Sequence, residues 1–491
     1  MTAFKKKLND ASLFRRVYII NLFFCYISFL QIAAYVFLVP IFAWGIYLIW
    51  QNQIRNKNYY RLRFGIWIGA FLAVTVFSVI INFLFHFSIS VLFSLFFIVH
   101  IAFCFFLFYG MHTERNFDFR EELYFIARFI VYITTIINFI GIVCLMFGVS
   151  FEWGWFKVII YENRFTGCYF NPNMLGFASV VSLVCCHMLY KSDFMHMVFQ
   201  PRVSKIWIVA CGATNLFSLL LCDSNASMVL GLGYCIVYVV YLFFADKTGL
   251  STSKIIFKIV SLVLVGVLLV SSALVFRTIC QTGFSVVFSK TSSVSDLLFD
   301  NRDVLESESK KPQKEQNGDG SITFSHLNEN IDSGRTKLWE ESFKLFRVSP
   351  IIGISNGNII PYSQMYGTGA LDYNFNKSDI HNGYLTILVS TGALGFIIFA
   401  IFGFRVTKHS AQHLFLQKRN YRNDVYPCLF SFLFAYLIYA LFERALLYDV
   451  SFMVMWFWLM LGYMGCYIRE FEYRLGKQSL FNNKHLTRIL L

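Results

Sequence analysis

The stretch NGYLTILVSTGALGFIIFAIFGF, residues 382–404, holds no charged side chain from end to end. As a helix rising about 1.5 Å per residue it reaches roughly 34 Å, enough to cross a hydrocarbon core of about 30 Å. Similar runs recur along the chain. They predict about twelve spans, at 14–31, 34–50, 64–84, 89–109, 123–148, 173–190, 206–222, 226–245, 256–276, 382–404, 425–442 and 450–468. The expected fold is an all-α polytopic membrane protein with one large extracytoplasmic loop. Composition agrees: 57% of residues are hydrophobic and 14% charged, against about 45–50% and about 25% in soluble domains.

Charge sets the expected topology. The net charge of +14 would suit nucleic acid, but 27 of the 42 Lys and Arg residues fall in the short segments on one face of the spans. That is the positive-inside pattern, and it excludes a nucleic-acid partner. Outside the large loop the opposite face carries only Lys157, Arg164, Arg277 at a helix end, and Arg444. Both termini are therefore expected in the cytoplasm. The apolar run 17–50 has basic residues at both ends and reads as a hairpin of two spans. The basic N-terminus lacks a small-residue cleavage site, so the first helix reads as retained. The domains follow: 1–277, nine spans; 278–380, the large loop; 381–468, three spans; 469–491, a basic cytoplasmic tail.

Twelve cysteines are present, most within spans, as at Cys104, Cys144 and Cys235. No metal-ligand spacing appears, so neither metal nor cofactor is expected. Cys168 and Cys280 fall in outside segments, either as a disulfide or as two thiols. The outside segment 149–172 is rich in Trp and Tyr, which suit the bilayer interface. The middle of the large loop, about 300–330, has few large apolar residues and reads as disordered. RTKLWEESFKLFRVSP, residues 335–350, reads as an amphipathic helix with Trp339, Phe343 and Phe346 on one face, Asp332 or Ser333 as cap and Pro350 as stop.

Polar residues gather at the outward ends of spans. Asn171-Pro172, Asp223-Ser224 and Asp379 open three of them, presenting N–H groups and a positive dipole end to anions. Arg164, Arg277, Arg335 and Lys344 are the cations expected nearby, with Asn171 and Asn173 as further polar contacts. His381, two residues past Asp379, is placed where the dipole favours a neutral ring, as a general base requires; the alternative is a His that caps or packs. Arg335 suits bidentate phosphate contact and Trp339 suits sugar stacking, against an ordinary surface pair on a membrane-resting helix. Glu443 and Arg444 read as a mutual ion pair. A flippase would carry charge deep in its spans; mid-span positions here are almost free of it. A non-catalytic scaffold would need neither His381 nor the arginines.

The order of these motifs resembles the O-antigen ligase/polymerase superfamily over residues 160–465. Arg164-Phe-Thr-Gly167 runs into Asn171-Pro172-Asn173; Arg335 and Trp339, Pro350 and Gly353, His381-Asn382, and Gly392 with Gly395 follow in sequence. The resemblance implies a GT-C-like bacterial membrane glycosyltransferase in the plasma (inner) membrane, working without metal. It implies an undecaprenyl-diphosphate-linked glycan donor, a sugar-hydroxyl acceptor, Arg164 and Arg335 on the diphosphate and His381 on the acceptor. Capsule or O-antigen-like polymerisation is favoured over ligation to a different acceptor, with membrane lipids and a chain-length regulator or flippase as partners. One departure stands out. Ser224-Asn225-Ala226 occupies the place of a Ser-Arg-Gly motif. A phosphate contact is lost, Arg277 or Lys344 replaces it, or the member has changed or lost its activity.

Overall fold

The computed structural model describes residues 2–85, 90–114, 117–147, 151–153, 156–161, 164–191, 203–245, 252–299, 335–369, 371, 380–415 and 424–482. In chain order the helices are α1 (Thr2–Leu8), α2 (Ala11–Phe24), α3 (Gln31–Ile49), α4 (Gly65–Phe85), α5 (Ser90–Ala102), α6 (Phe119–Met146), α7 (Pro172–Tyr190), α8 (Lys205–Leu221), α9 (Asn225–Ala245), α10 (Thr252–Phe299), α11 (Arg335–Val348), α12 (Ile359–Tyr366), α13 (Gly383–Phe415), α14 (Tyr426–Tyr439) and α15 (Phe452–Asn482). Among the described residues nine helices are long and apolar enough to cross a membrane, as a multi-pass membrane protein requires. The spans expected at 14–31, 206–222 and 425–442 are the shorter helices α2, α8 and α14. The cap residues Asp332 and Ser333, the 300–330 segment and Asp379 lie outside the described residues.

Two features depart from the sequence reading. The expected loop start at residue 278 is helix: α10 runs unbroken from Thr252 to Phe299, because the sequence after Arg277 offers no proline to stop it. The expected interfacial segment 149–172 holds a three-stranded antiparallel sheet, β1 (Phe151–Trp153), β2 (Phe156–Tyr161) and β3 (Arg164–Gly167), in the order β1-β2-β3. Its aromatic and β-branched residues favour extended backbone as much as they favour the interface.

The chain forms two compact units. The first comprises residues 1–20, 37–123 and 334–491. Its centre is α15, whose span is 83% buried. Trp456 and Trp458 are fully enclosed there. An ionic cluster closes one end: Arg15, fully buried, meets Glu122 at 2.9 Å and Glu114 at 2.6 Å, and the Tyr463 hydroxyl donates to Glu122 at 2.8 Å.

The device that matters most for the site is a break in α13. Gly392 has φ 66° and ψ −173° inside the helix. The segment after Pro350 lies against this break and repairs it. Ala393 N–H donates to the Pro350 carbonyl (2.8 Å) and Leu394 N–H to that of Ile351 (3.1 Å). In return Ile354 and Ser355 donate to the carbonyls of Val389 (3.0 Å) and Ser390 (3.1 Å). The approach is too close for side chains: a Cβ on Gly353 would overlap Ser390 and Thr391 backbone, and one on Gly392 would overlap that of Ile351. Polar residues of the flanking helices fasten the junction, Ser78 to the Ser390 carbonyl (3.1 Å), Asn82 to that of Gly353 (3.1 Å), and Ser94 to the Ser355 hydroxyl (2.5 Å). Irregular backbone at membrane depth is tolerated where protein satisfies it in this way.

The loop helix α11 docks on the same junction. Its buried face is Leu345 with Leu338, Trp339 and Phe346, packed on Ile354, Ile359 and Val389. Of the expected face, Trp339 and Phe346 pack inward, but Phe343 is 50% exposed; Leu338, Ser342 and Leu345 complete the buried side. Glu341 is buried on this side and ties α11 to the end of α12, accepting from Ser363 Oγ (2.6 Å), Thr368 N (2.7 Å) and Thr368 Oγ1 (2.9 Å). Burial raises its carboxyl pKa, but these hydrogen bonds outweigh it and hold the group below the usual carboxylate range.

The second unit comprises residues 21–36 and 124–333. Helices α7 and α8 pack together, joined at mid-depth by Asn138, which donates to Ser179 (3.0 Å) and Asn215 (2.9 Å). Residues 26–28 pair with 168–170, Ser28 donating to the Cys168 carbonyl and Phe170 to that of Tyr26, each at 3.0 Å. Cys168 and Cys280 are separate buried thiols, so the disulfide alternative does not form.

Candidate functional site

In the first unit His381 immediately precedes the cap of α13. Asn382 Oδ1 accepts from Tyr384 N (2.9 Å) and Leu385 N (3.0 Å), the usual work of an Asn cap. The helix start is pinned to the end of α14 by Gly383 N–H on the Ala440 carbonyl (2.8 Å) and by the Tyr384 hydroxyl on that of Leu437 (2.8 Å). His381 itself takes a left-handed backbone, φ 50°, uncommon for a residue with a Cβ. Such strain persists only where neighbours fix it.

The same pinning brings in Glu443, from the turn after α14. Tyr436 holds that turn, its hydroxyl donating to the Ala445 carbonyl at 2.7 Å. Glu443 Oε2 lies 3.3 Å from His381 Nδ1, and Oε1 lies 3.5 Å from Arg335 Nη2. The side chain of Glu443 is 9% exposed, that of Arg335 20% and that of His381 30%. One carboxylate, nearly buried, thus orients both an imidazole and a guanidinium that remain reachable. The expected Glu443–Arg444 pair is corrected: Arg444 lies 3.4 Å from Asp449 instead. Sequence adjacency misled here, because the turn after α14 sends successive side chains in different directions. Glu443 had a signal as a carboxylate at the end of an apolar run, but its partners lie 62 and 108 residues away.

Trp339 follows Arg335 by one turn. Its ring packs on the core beneath α11, and its indole N–H is shielded from solvent with no hydrogen-bond acceptor among the described residues. Leaving such a donor unpaired costs about 1–3 kcal/mol, which a sugar or phosphate oxygen would recover. Lys344 does not join this group; its ammonium lies 3.8 Å from Glu341.

A second cluster forms within the other unit. Asn171 caps α7, its Oδ1 accepting from Asn173 N (2.8 Å), with Pro172 in the first helical position. Its side chain is therefore engaged in the cap. Arg164, at the start of β3, donates to the Cys222 carbonyl (3.3 Å), Asn173 Oδ1 (3.1 Å) and the Asp223 carbonyl (3.1 Å). Asn173 Oδ1 also accepts from Ser224 at 2.9 Å. Asp223, left-handed at φ 54°, turns the chain into α9. Arg277 reaches the same turn from α10: it pairs with Asp223 and donates to Asn225 Oδ1 at 2.9 Å. Gln281, one turn on, donates to Asp223 at 3.0 Å. Two arginines thus meet at the turn before α9, Arg277 on the Asp223 carboxylate and Arg164 on the Asp223 carbonyl. Asn225, standing where the motif has Arg, holds the guanidinium of Arg277, so a cation does occupy that turn.

Residues 210–400 match a family model described as O-antigen ligase. The matched stretch includes Asp223, Asn225, Arg277, Arg335 and His381, and excludes Arg164 and Glu443. No curated protein matches the chain.

Proposed function

We propose, from the chain's membership of the O-antigen ligase/polymerase superfamily, that it joins a glycan carried on undecaprenyl diphosphate to an acceptor sugar hydroxyl outside the cell membrane, polymerising a surface polysaccharide. The observation that carries this reading is the His381–Glu443–Arg335 constellation. With Nδ1–H directed at Glu443, the ring's acceptor is Nε2, the atom a general base uses. It takes the proton of the acceptor hydroxyl as that oxygen bonds to the anomeric carbon. The bond from that carbon to the carrier diphosphate breaks, and the diphosphate leaves with the electron pair. Arg335 offers fixed positive charge to the departing group, and the Trp339 N–H a donor to a substrate oxygen. The linkage is already activated, so neither nucleotide nor metal enters this reading. The basic segments between spans support cytoplasmic termini and, with them, a His381 facing the outside.

The test uses the purified protein with a synthetic lipid-linked repeat unit. The parent is expected to build a ladder of longer glycans, and His381→Ala to lose it. Ladders of undiminished length from His381→Ala would remove the catalytic role. Transfer only to a chemically different acceptor would make the chain a ligase, and lipid translocation without bond formation a flippase.

A further inference from the structure

Helix α6 and the turn between β3 and α7, all within the second unit, approach each other more closely than side chains allow. A Cβ on Gly141 of α6 would stand 3.0 Å from the Gly167 Cα and 3.2 Å from the Phe165 ring. Two glycines thus let backbone meet backbone. Gly167 has φ 55° and turns the strand toward α7. Ser28 N–H holds this turn through the Cys168 carbonyl (3.0 Å), and Tyr169 N–H closes it on the Thr166 carbonyl (3.1 Å).

A cysteine flanks the contact on each side. Cys168 directly follows Gly167, its Cα about 3.8 Å further on. Cys144 follows Gly141 by three residues, so it lies on the same face of α6, close to the helix end at Met146. Both are thiols, Cys168 buried and Cys144 half-buried. Burial pushes the Cys168 thiol up to about 11, and the neighbouring Cys144 adds to the rise, so each sulfur lies within electrostatic reach of the other.

We infer that Cys144 and Cys168 are a disulfide-forming pair that straps the end of α6 to the β3–α7 turn. The oxidant is a disulfide-bearing small molecule or protein on the outer side, where such bonds persist; that side rests on the topology proposed above, and the pairing does not. The Cys144 thiolate, on the half-buried side, attacks the oxidant's disulfide and one of its sulfurs leaves as a thiolate. The Cys168 thiolate then attacks the Cys144 sulfur and expels the other. Two protein thiols thus give up two protons and two electrons, and the oxidant's disulfide takes them up as two thiols. The strap closes a loop that contains β1, β2 and β3. Arg164 opens β3, and oxidation therefore steadies the strand that aims it at the Cys222 and Asp223 carbonyls.

The test reads the bond itself. Full-length protein, purified in detergent under reducing conditions, is treated with oxidised glutathione, unfolded in guanidinium containing N-ethylmaleimide, and digested for mass spectrometry. One peptide pair joined through Cys144 and Cys168 is expected, about 2 Da lighter than the two thiol peptides together. Amide exchange across residues 164–168 should slow on the order of tenfold on oxidation. Cys144→Ser should show neither the linkage nor the slowing. Full alkylation of both cysteines, a glutathione adduct left standing on Cys144, or linkage of Cys168 to Cys280 would each overturn the inference. The same linkage is expected in protein taken from cells lysed into N-ethylmaleimide. Thiols there, with linkage formed only after purification, would overturn the outward placement of the pair. A strap in a protein that makes no glycosidic bond would sustain the inference and sink the proposed reaction.

Discussion

Replacing Gly392 by Ala tests whether the broken α13 is held by its partner segment. The cost has two sources. An Ala at φ 66° and ψ −173° sits in a region almost confined to glycine, at about 1–3 kcal/mol. Its Cβ would also overlap the Ile351 carbonyl and the Ile352 nitrogen. These are backbone atoms that cannot withdraw without breaking the bonds from Ala393 to Pro350 (2.8 Å) and from Leu394 to Ile351 (3.1 Å). Each buried backbone group left unpaired costs about 1–3 kcal/mol, so the expected loss is roughly 3–9 kcal/mol. In detergent the apparent unfolding temperature should fall by at least about 5 °C. Hydrogen exchange should quicken in peptides covering residues 351–355 and 389–395 while α15 stays protected. Gly403→Ala on the same helix is the control, since nothing lies within 4 Å of its added Cβ. It should be neutral or slightly stabilising. Unfolding of Gly392→Ala within about 1 °C of the parent, with unchanged exchange at both segments, would refute the interlock.

Other outcomes follow from the same structure. Glu443→Gln keeps the volume but removes the charge that orients His381 and Arg335; transfer should fall on the order of a hundredfold with little change in unfolding temperature, as measured on the lipid-linked substrate. Glu122→Ala removes one of the two carboxylates facing the enclosed Arg15 and should destabilise by about 3–5 kcal/mol, read by thermal unfolding. Glu341 has its carboxyl pKa lowered by folding, so its contribution is present above the unfolded pKa and lost as pH falls through the lower folded value. Hydrogen exchange across residues 363–368 should therefore accelerate in acid below about pH 4, and Glu341→Gln should flatten that dependence. If the arginines carry the leaving-group charge, chelation with EDTA should leave transfer intact.

Much of the membrane architecture was legible because it rests on composition. A span needs only length and the absence of charge, and both are visible in residues 382–404. Less legible was anything set by contacts between distant segments. The break at Gly392 reads as an ordinary glycine in an apolar run until the chain after Pro350 is laid beside it. The β1–β3 segment has residues that serve equally at a bilayer interface or in a strand, and pairing decides between them. The outward position of Phe343 on α11 has a similar cause. Phe343 fits the helical period as well as Leu345 does, but Glu341 finds its partners only on the Leu345 side, which fixes the phase.

The candidate site divides in the same manner. His381, Arg335 and Trp339 were visible as chemistry-bearing residues beside apolar spans, since such residues are costly near a membrane and rarely placed there without use. What joins them was hidden. Asn382 caps α13, Gly383 and Tyr384 clamp that cap to the end of α14, and the clamp delivers Glu443 to the ring. The break at Gly392 lies about three turns along the chain from His381, which precedes the same helix. Pro350 and Ile351, which complete the break, directly follow the helix that begins with Arg335. The base and the cation are thus two ends of one covalent path, closed into a loop by the interlock and bridged by a single carboxylate. A change at Gly353 or Gly392, neither of which touches His381, should consequently alter the distance between His381 and Arg335. Loss of transfer in Gly353→Ala without loss of the His381 side chain is the expected signature. Full transfer by a Gly353→Ala protein with a demonstrably opened interlock would show that His381 and Arg335 act independently.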